Sequence, residues 1–137
     1  MVLSEKLIVE LETSDILVIG TPMNNFTVPS VLKTWIDQVV RVGRTFRMTP
    51  KGKVGLLSDR PVFVGIASGA TFLGDRARQP DFLTPYLSAI FRCIGLTSVH
   101  FLPFQGTAFL DERVAATERD LLLKSFEAQI AATNSAR

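Results

Sequence analysis

The sequence predicts an α/β protein with a parallel sheet, and two observations lead there. An apolar run, Ile16-Leu17-Val18-Ile19, meets a loop from Gly20 to Val28 and then a helical pattern from Pro29. The same plan of strand, small-residue loop and helix recurs from Pro61, and a further strand follows near the end. Strands that alternate with helices form parallel sheets with right-handed crossovers. In open sheets of this kind the loops at the carboxyl ends of the strands make the ligand crevice.

Each element has its own signal. Residues 2 to 13 read as a helix, with Leu3, Leu7, Ile8 and Leu11 on one face. Ser14-Asp15 breaks that pattern, and Ile16–Ile19 reads as a buried strand, three of its four residues being β-branched. The loop after it holds Gly20, Pro22, Asn24 and Asn25, which punctuate rather than extend structure. Pro29 suits the first turn of a helix, where a missing N–H costs nothing. Val31, Leu32, Trp35, Ile36, Val39 and Val40 then recur at helical spacing, and Gly43 is a natural stop.

Residues 44 to 60 form a long connection, with two short extended pieces, Thr45–Met48 and Val54–Leu57, around Pro50-Lys51-Gly52. Long connections often serve as lids or interface arms. Pro61 to Ala67 is a second strand, followed by Ser68-Gly69-Ala70-Thr71, small residues that let backbone approach a ligand closely. Residues 72 to 83 read as irregular. Pro85 opens a helix with Leu87, Ile90, Phe91 and Ile94 on its apolar face and Gly95 after it. Apolar residues beyond one narrow stripe, with Phe72 and Phe82 nearby, mark this helix as a partner surface. The third strand is Val99 to Phe104, where His100 is read as pointing away from the core. A last helix starts near Asp111, an N-cap residue, and runs through Ile130 to a polar tail from Thr133.

The 137 residues fit a single domain, with 47% hydrophobic and 20% charged residues, a globular balance. A net charge of +2, with basic residues scattered, argues against nucleic acid. The densest basic group, Arg41, Arg44, Arg47, Lys51 and Lys53, reads as a solvated loop. Cys93 is the only cysteine, so an intrachain disulfide is impossible. No metal site is legible, no apolar stretch reaches the ~18 residues of a membrane span, and a cytoplasmic protein is expected.

Pro22-Met23-Asn24-Asn25-Phe26 after an apolar strand, with Leu32-Lys33-Thr34-Trp35-Ile36-Asp37 beyond it, resembles the FMN-dependent NADH-azoreductases, within the flavodoxin-like NAD(P)H quinone reductases. Gly43-Arg44-Thr45-Phe46-Arg47, Gly52 to Leu57, Thr84-Pro85-Tyr86-Leu87 and Ile94-Gly95-Leu96-Thr97-Ser98-Val99 resemble later segments in the same order. The resemblance implies a flavodoxin-like three-layer α-β-α fold and a homodimer with FMN at its interface. It also implies ping-pong hydride transfer from NADH or NADPH to a quinone or azo compound. By match of motif, Pro22, Met23, Asn24, Asn25 and Phe26 would line the flavin ring, and Ser68, Gly69, Ala70 and Thr71 would form the second flavin loop. No catalytic side chain is expected, because the cofactor carries the chemistry. From spacing alone, Met23 and Phe26 read as core residues; the collinear resemblance favours the flavin.

The chain also departs from that family. Asn24 and Met48 stand where the family commonly has aromatics, and its second flavin loop is usually richer in glycine. The chain begins in what resembles the helix before the third strand of the family sheet. It is therefore expected to be N-terminally truncated, with strands 3, 4 and 5 present and without the loop that holds the FMN phosphate. The alternative function is a non-enzymatic flavodoxin-like interaction module with weak flavin binding or none.

Overall fold

The computed structural model describes residues 2–135. Helix α1 (Val2–Thr13) leads into strand β1 (Leu17–Pro22), and helix α2 (Ser30–Val39) follows. A hairpin of β2 (Phe46–Thr49) and β3 (Gly52–Gly55) fills the long connection to β4 (Val62–Ala67). Helix α3 (Thr84–Ile94), strand β5 (Val99–Phe104) and helix α4 (Glu112–Ser135) complete the chain. The main sheet is parallel, in the order β1-β4-β5, as the alternation of elements predicts.

The structure departs from the sequence reading at β1, α4 and α1, and strand β3 lies at Gly52–Gly55 rather than at Val54–Leu57. Strand β1 runs on through Gly20, Thr21 and Pro22, residues assigned above to the loop. Pro22 is tolerated because β1 lies at a sheet edge, and Pro103 in β5 occupies the other edge. Helix α4 continues through Thr133 to Ser135, where a tail was expected. Thr133 donates its hydroxyl to the Gln129 carbonyl one turn back, and so adds no break. In α1 the buried residues are Ser4, Ile8 and Leu11, while Leu3 is exposed. Ser4 is buried because its hydroxyl donates to the Gln38 carbonyl on α2.

Strand alternation divides the core. Val62, Val64 and Ile66 of β4 face Ile8, Ile36, Val39, Leu87 and Phe91 from α1, α2 and α3. Leu87, Phe91, Ile94 and Phe72 are spent in this core, so what α3 leaves for a partner is half-buried Tyr86, Ile90 and Cys93 with exposed Pro85 and Ala89, and Phe82 is exposed beside it. On the opposite face Phe63 stacks on His100 and meets Phe126 of α4 edge-on, with both centroids 5.0 Å away. His100 is thus an exposed strand residue lying over an aromatic ring. Helix α4 covers this face incompletely. It leaves an apolar groove of about 530 Å³ along Val18, Gly20, Gly65, Leu102 and Phe126, with Val18 60% exposed.

The hairpin is anchored at the amino ends of the strands. Helix α3 returns the chain from the carboxyl end of β4 to the start of β5, so Ile94 and Gly95 lie at the lower rim. There Gly55 touches Gly95 so closely that a Cβ on Gly55 would come within 2.1 Å of the Gly95 nitrogen. The Leu57 amide donates to the Ile94 carbonyl nearby. Met48, exposed on this arm, therefore stands far from the loops above the same chain's sheet.

The same rim carries the polar fastenings. The Arg60 guanidinium donates to the carbonyls of Leu11, Glu12 and Ser14, closing the carboxyl end of α1. Arg44 and Arg41 bond Glu5, and Arg44 also bonds Glu12. The Arg44 hydrogen bond, aided by Arg41, holds the Glu5 carboxyl below its usual range. These two cations of the basic group are thus already paired.

Asp59 joins the entrances of β4 and β5. It accepts from the Thr97 amide (2.8 Å) and hydroxyl (2.7 Å), and from the Ser98 amide (3.1 Å) and hydroxyl (2.7 Å). Desolvation pushes the Asp59 carboxyl upward, but these four donors together outweigh it and hold the carboxyl far below its usual range. Asp59→Ala is expected to lower stability by about 1 kcal/mol in denaturant titrations, discounted for solvent exposure. The folded value lies below the unfolded one. The contribution is therefore complete above the unfolded pKa of about 4 and is lost as pH falls below it. The gap between parent and variant should close with acidification; a gap unchanged from pH 7 to pH 2 would contradict this role.

Candidate functional site

Strands β1 and β4 end at the same level, Pro22 opposite Ala67. The Met23 amide extends the ladder by one bond to the Ala67 carbonyl at 2.8 Å. The two loops singled out in the sequence, 22–26 and 68–71, therefore leave adjacent strands side by side, at the carboxyl ends where open parallel sheets place their crevice.

The first loop is a tight reversal. Asn24 and Thr27 exchange both amide–carbonyl bonds, at 2.9 and 3.0 Å, around a two-residue turn. Its central residues, Asn25 (φ 47°) and Phe26 (φ 71°), are both left-handed. That is the I′ kind of turn, which favours Asn then Gly. Asn25 fits; Phe26 is strained, and its ring is 43% exposed. The Phe82 amide donates to the Phe26 carbonyl at 3.0 Å and fixes the turn to the segment before α3. Among the described residues the side-chain amides of Asn24 and Asn25 meet no hydrogen-bond partner, nor do the backbone amides of Asn25 and Phe26.

The second loop is held from beneath. Ser68 is buried, its hydroxyl donates to the Ala70 carbonyl at 2.7 Å, and its carbonyl accepts from the Thr107 amide at 3.1 Å. Ser68 therefore shapes the loop, while Gly69 is exposed and Ala70 and Thr71 are half-buried. The amides of Gly69, Ala70 and Thr71 have no protein acceptor among the described residues.

Gln79 is the residue that sequence reading missed. Its side-chain amide donates to Ser68 Oγ at 2.8 Å and to Met23 Sδ at 3.2 Å, joining the two loops across the strand gap. It lies in a segment without periodicity, so no spacing marked it. Asp81 had no signal either; its carboxylate accepts from the Leu83 and Thr84 amides at 2.9 Å and caps α3. The basic group at 41–53 is absent from the crevice, being at the other rim.

The arrangement is a crevice floored by strand ends and walled by two uncharged loops. It offers free amides, one thioether and one exposed aromatic ring. Among the described residues no group of three His, Cys, Asp or Glu side chains is placed to hold a metal ion. Such a site suits a planar ligand with a polar edge. Strain at Phe26 gives a direct test. Phe26→Gly restores an Asn-Gly turn, whereas Phe26→Ala keeps the left-handed cost of about 1 kcal/mol. The glycine variant should therefore melt above the alanine variant. Equal melting temperatures would show that the turn is unstrained.

Comparison with known proteins gives a consistent picture. The family model described as the flavodoxin-like fold matches residues 1–129. Over 114 residues the chain is 58% identical to FMN-dependent NADH:quinone oxidoreductase 4 of Pseudomonas fluorescens, covering 83% of this chain and 55% of that protein. It is 54% identical to FMN-dependent NADH:quinone oxidoreductase 5 of Burkholderia lata, covering 86% and 58%. Among solved structures it resembles azoreductase AzrA, with TM-score 0.78, 27% identity and 90% and 61% coverage. An FMN-dependent NADH-azoreductase of Bacillus anthracis in complex with FMN gives TM-score 0.77, 28% identity and 92% and 61% coverage. The chain thus spans little more than half the length of these curated relatives.

Proposed function

The chain belongs to the flavodoxin-like family, and from that premise we propose that it binds FMN and reduces quinones or azo compounds with electrons from NADH or NADPH. The supporting observation is the pairing of two uncharged loops at one level on neighbouring strands, with amides unclaimed by protein. Pro22, Met23, Asn24, Asn25 and Phe26 would line the flavin ring, with Gly69, Ala70 and Thr71 across from them and Ser68 supporting that loop. When bound, the flavin supplies two-electron hydride acceptance and donation.

The protein's own part is to bind, orient and exclude water. The Asn24 and Asn25 amides and the free loop N–H groups suit the polar rim of the ring, replacing hydrogen bonds that water would otherwise make. Met23 and Phe26 supply polarisable and aromatic surface to its face. Gln79 fixes the spacing between the walls. No acid–base pair is required.

The proposal extends to a homodimer in the cytoplasm. The hairpin stands at the lower rim, so exposed Met48 serves a crevice only if that crevice belongs to another copy. Phe82, 58% exposed, adjoins the Phe26 turn and offers apolar surface for the same contact. No described helix is long and apolar enough to cross a membrane. A second reading, an interaction module without catalysis, draws support from the open apolar groove beside Val18.

Flavin binding, its reduction and the state of assembly each test this. FMN should quench saturably on the protein, and NADH should bleach the bound flavin without oxygen; absence of saturable binding would remove the reductase reading and leave the module. Riboflavin should bind nearly as well as FMN, because neither loop carries a charged side chain; a strong FMN preference would show that a cation elsewhere reads the phosphate. Separately, sedimentation at micromolar protein should show a dimer, and a monomer throughout would refute the shared-arm arrangement.

A further inference from the structure

Beside the crevice a separate pocket of about 610 Å³ opens between residues 71–78 and the segment after β5 at 106–110. Thr71, the last residue of the second loop, lines it. Arg76, Arg78, Asp75 and Phe109 line it too.

The backbone that carries these side chains is fixed. The Arg78 amide donates to the Thr71 carbonyl at 2.8 Å, and the Thr71 hydroxyl donates to the Arg76 carbonyl at 2.6 Å. The amides of Phe72 and Leu73 share Gln105 Oε1 at 2.9 and 3.1 Å, and the buried Phe72 ring roots the segment in the core. Yet both guanidinium groups are exposed, and among the described residues neither lies within 4.0 Å of a carboxylate. Arg41 and Arg44, by contrast, are satisfied by Glu5 and Glu12. Phe109, 75% exposed, presents a bare aromatic face at the mouth of the same pocket.

Two unpaired guanidinium groups suit a pyrophosphate. An exposed aromatic ring suits a stacked base, and one carboxylate can accept from a ribose hydroxyl. We propose that this pocket takes the adenosine diphosphate half of the dinucleotide donor, with Arg76 and Arg78 on the pyrophosphate, Phe109 against adenine and Asp75 at the ribose. The inference rests on the reductase reading. It assigns the charged, non-reacting half of the donor to a pocket beside the uncharged crevice that receives the reacting ring.

The test compares NADH with reduced nicotinamide mononucleotide, which carries the same hydride without the ADP half. In the flavin-loaded protein, Arg76→Ala/Arg78→Ala should lower the ratio of kcat/KM for NADH to that for the mononucleotide by roughly tenfold or more. Phe109→Ala should lower it less, and the double Arg→Lys variant should recover part of it. ADP, titrated directly by calorimetry, should bind the parent and weaken in the same order. An unchanged ratio together with unchanged ADP affinity would overturn the assignment. Weaker binding of FMN but not of riboflavin in the double alanine variant, with ADP unaffected, would also overturn it and give the pocket to the flavin phosphate. If ADP binding follows the variants but neither donor reduces flavin in the parent, the reductase reading fails and the ADP pocket stands.

Discussion

Six successive pairs, from Leu17 opposite Val62 to Pro22 opposite Ala67, set β1 beside β4 and bring both strands to an end together. The crevice depends on this register. A slip of one residue would turn Val62, Val64 and Ile66 away from the helices, and would also stagger the two loops so that Gln79 could not reach Ser68 and Met23 at once. The core and the site are therefore specified by the same hydrogen-bond ladder, with burial of the β4 side chains opposing any slip.

The fold was largely legible because its signals are periodic. Val62-Phe63-Val64 is a buried run, Leu87, Phe91 and Ile94 repeat at helical spacing, and glycine follows α3 where a left-handed cap is needed (Gly95 φ 104°). The two loops of the candidate site were singled out by residue type and by resemblance to a family, and the structure sets them side by side at the ends of β1 and β4. Their roles within the site were not legible. Ser68 looked like a wall residue and proves to be a buried strut. Spacing alone read Phe26 as core, whereas its ring is exposed and its φ is strained. Gln79 and Asp81 act through single long-range or capping bonds, which leave no trace in spacing. The end of β1 was misplaced because Gly and Pro usually close a strand; at a sheet edge neither removes a ladder bond that another strand needs.

The two faces of the sheet are unequal. Three helices bury one side of β4 completely, whereas α4 lies over the other with no fully buried side chain among its described residues. Phe63 is shielded there by His100 and Phe126 rather than by a layer of aliphatic residues. Much of the stability of the described chain thus resides in the α1–α2–α3 side, and the α4 side is the one a larger assembly can rearrange at low cost.

The contact between Gly55 and Gly95 has an evolutionary consequence. When two side chains collide, a smaller residue at one position usually rescues a larger one at the other. Here both partners are already the smallest residue, and the nearest atoms to the missing Cβ of Gly55 are backbone. Neither site can therefore compensate for drift at the other. The left-handed φ of Gly95 closes the remaining escape, since a branched or bulky residue is strained there whatever the space. Each glycine is thus held by main chain, Gly55 by the Gly95 nitrogen and Gly95 by the Leu57 carbonyl, so no side-chain change elsewhere makes room for a Cβ at either.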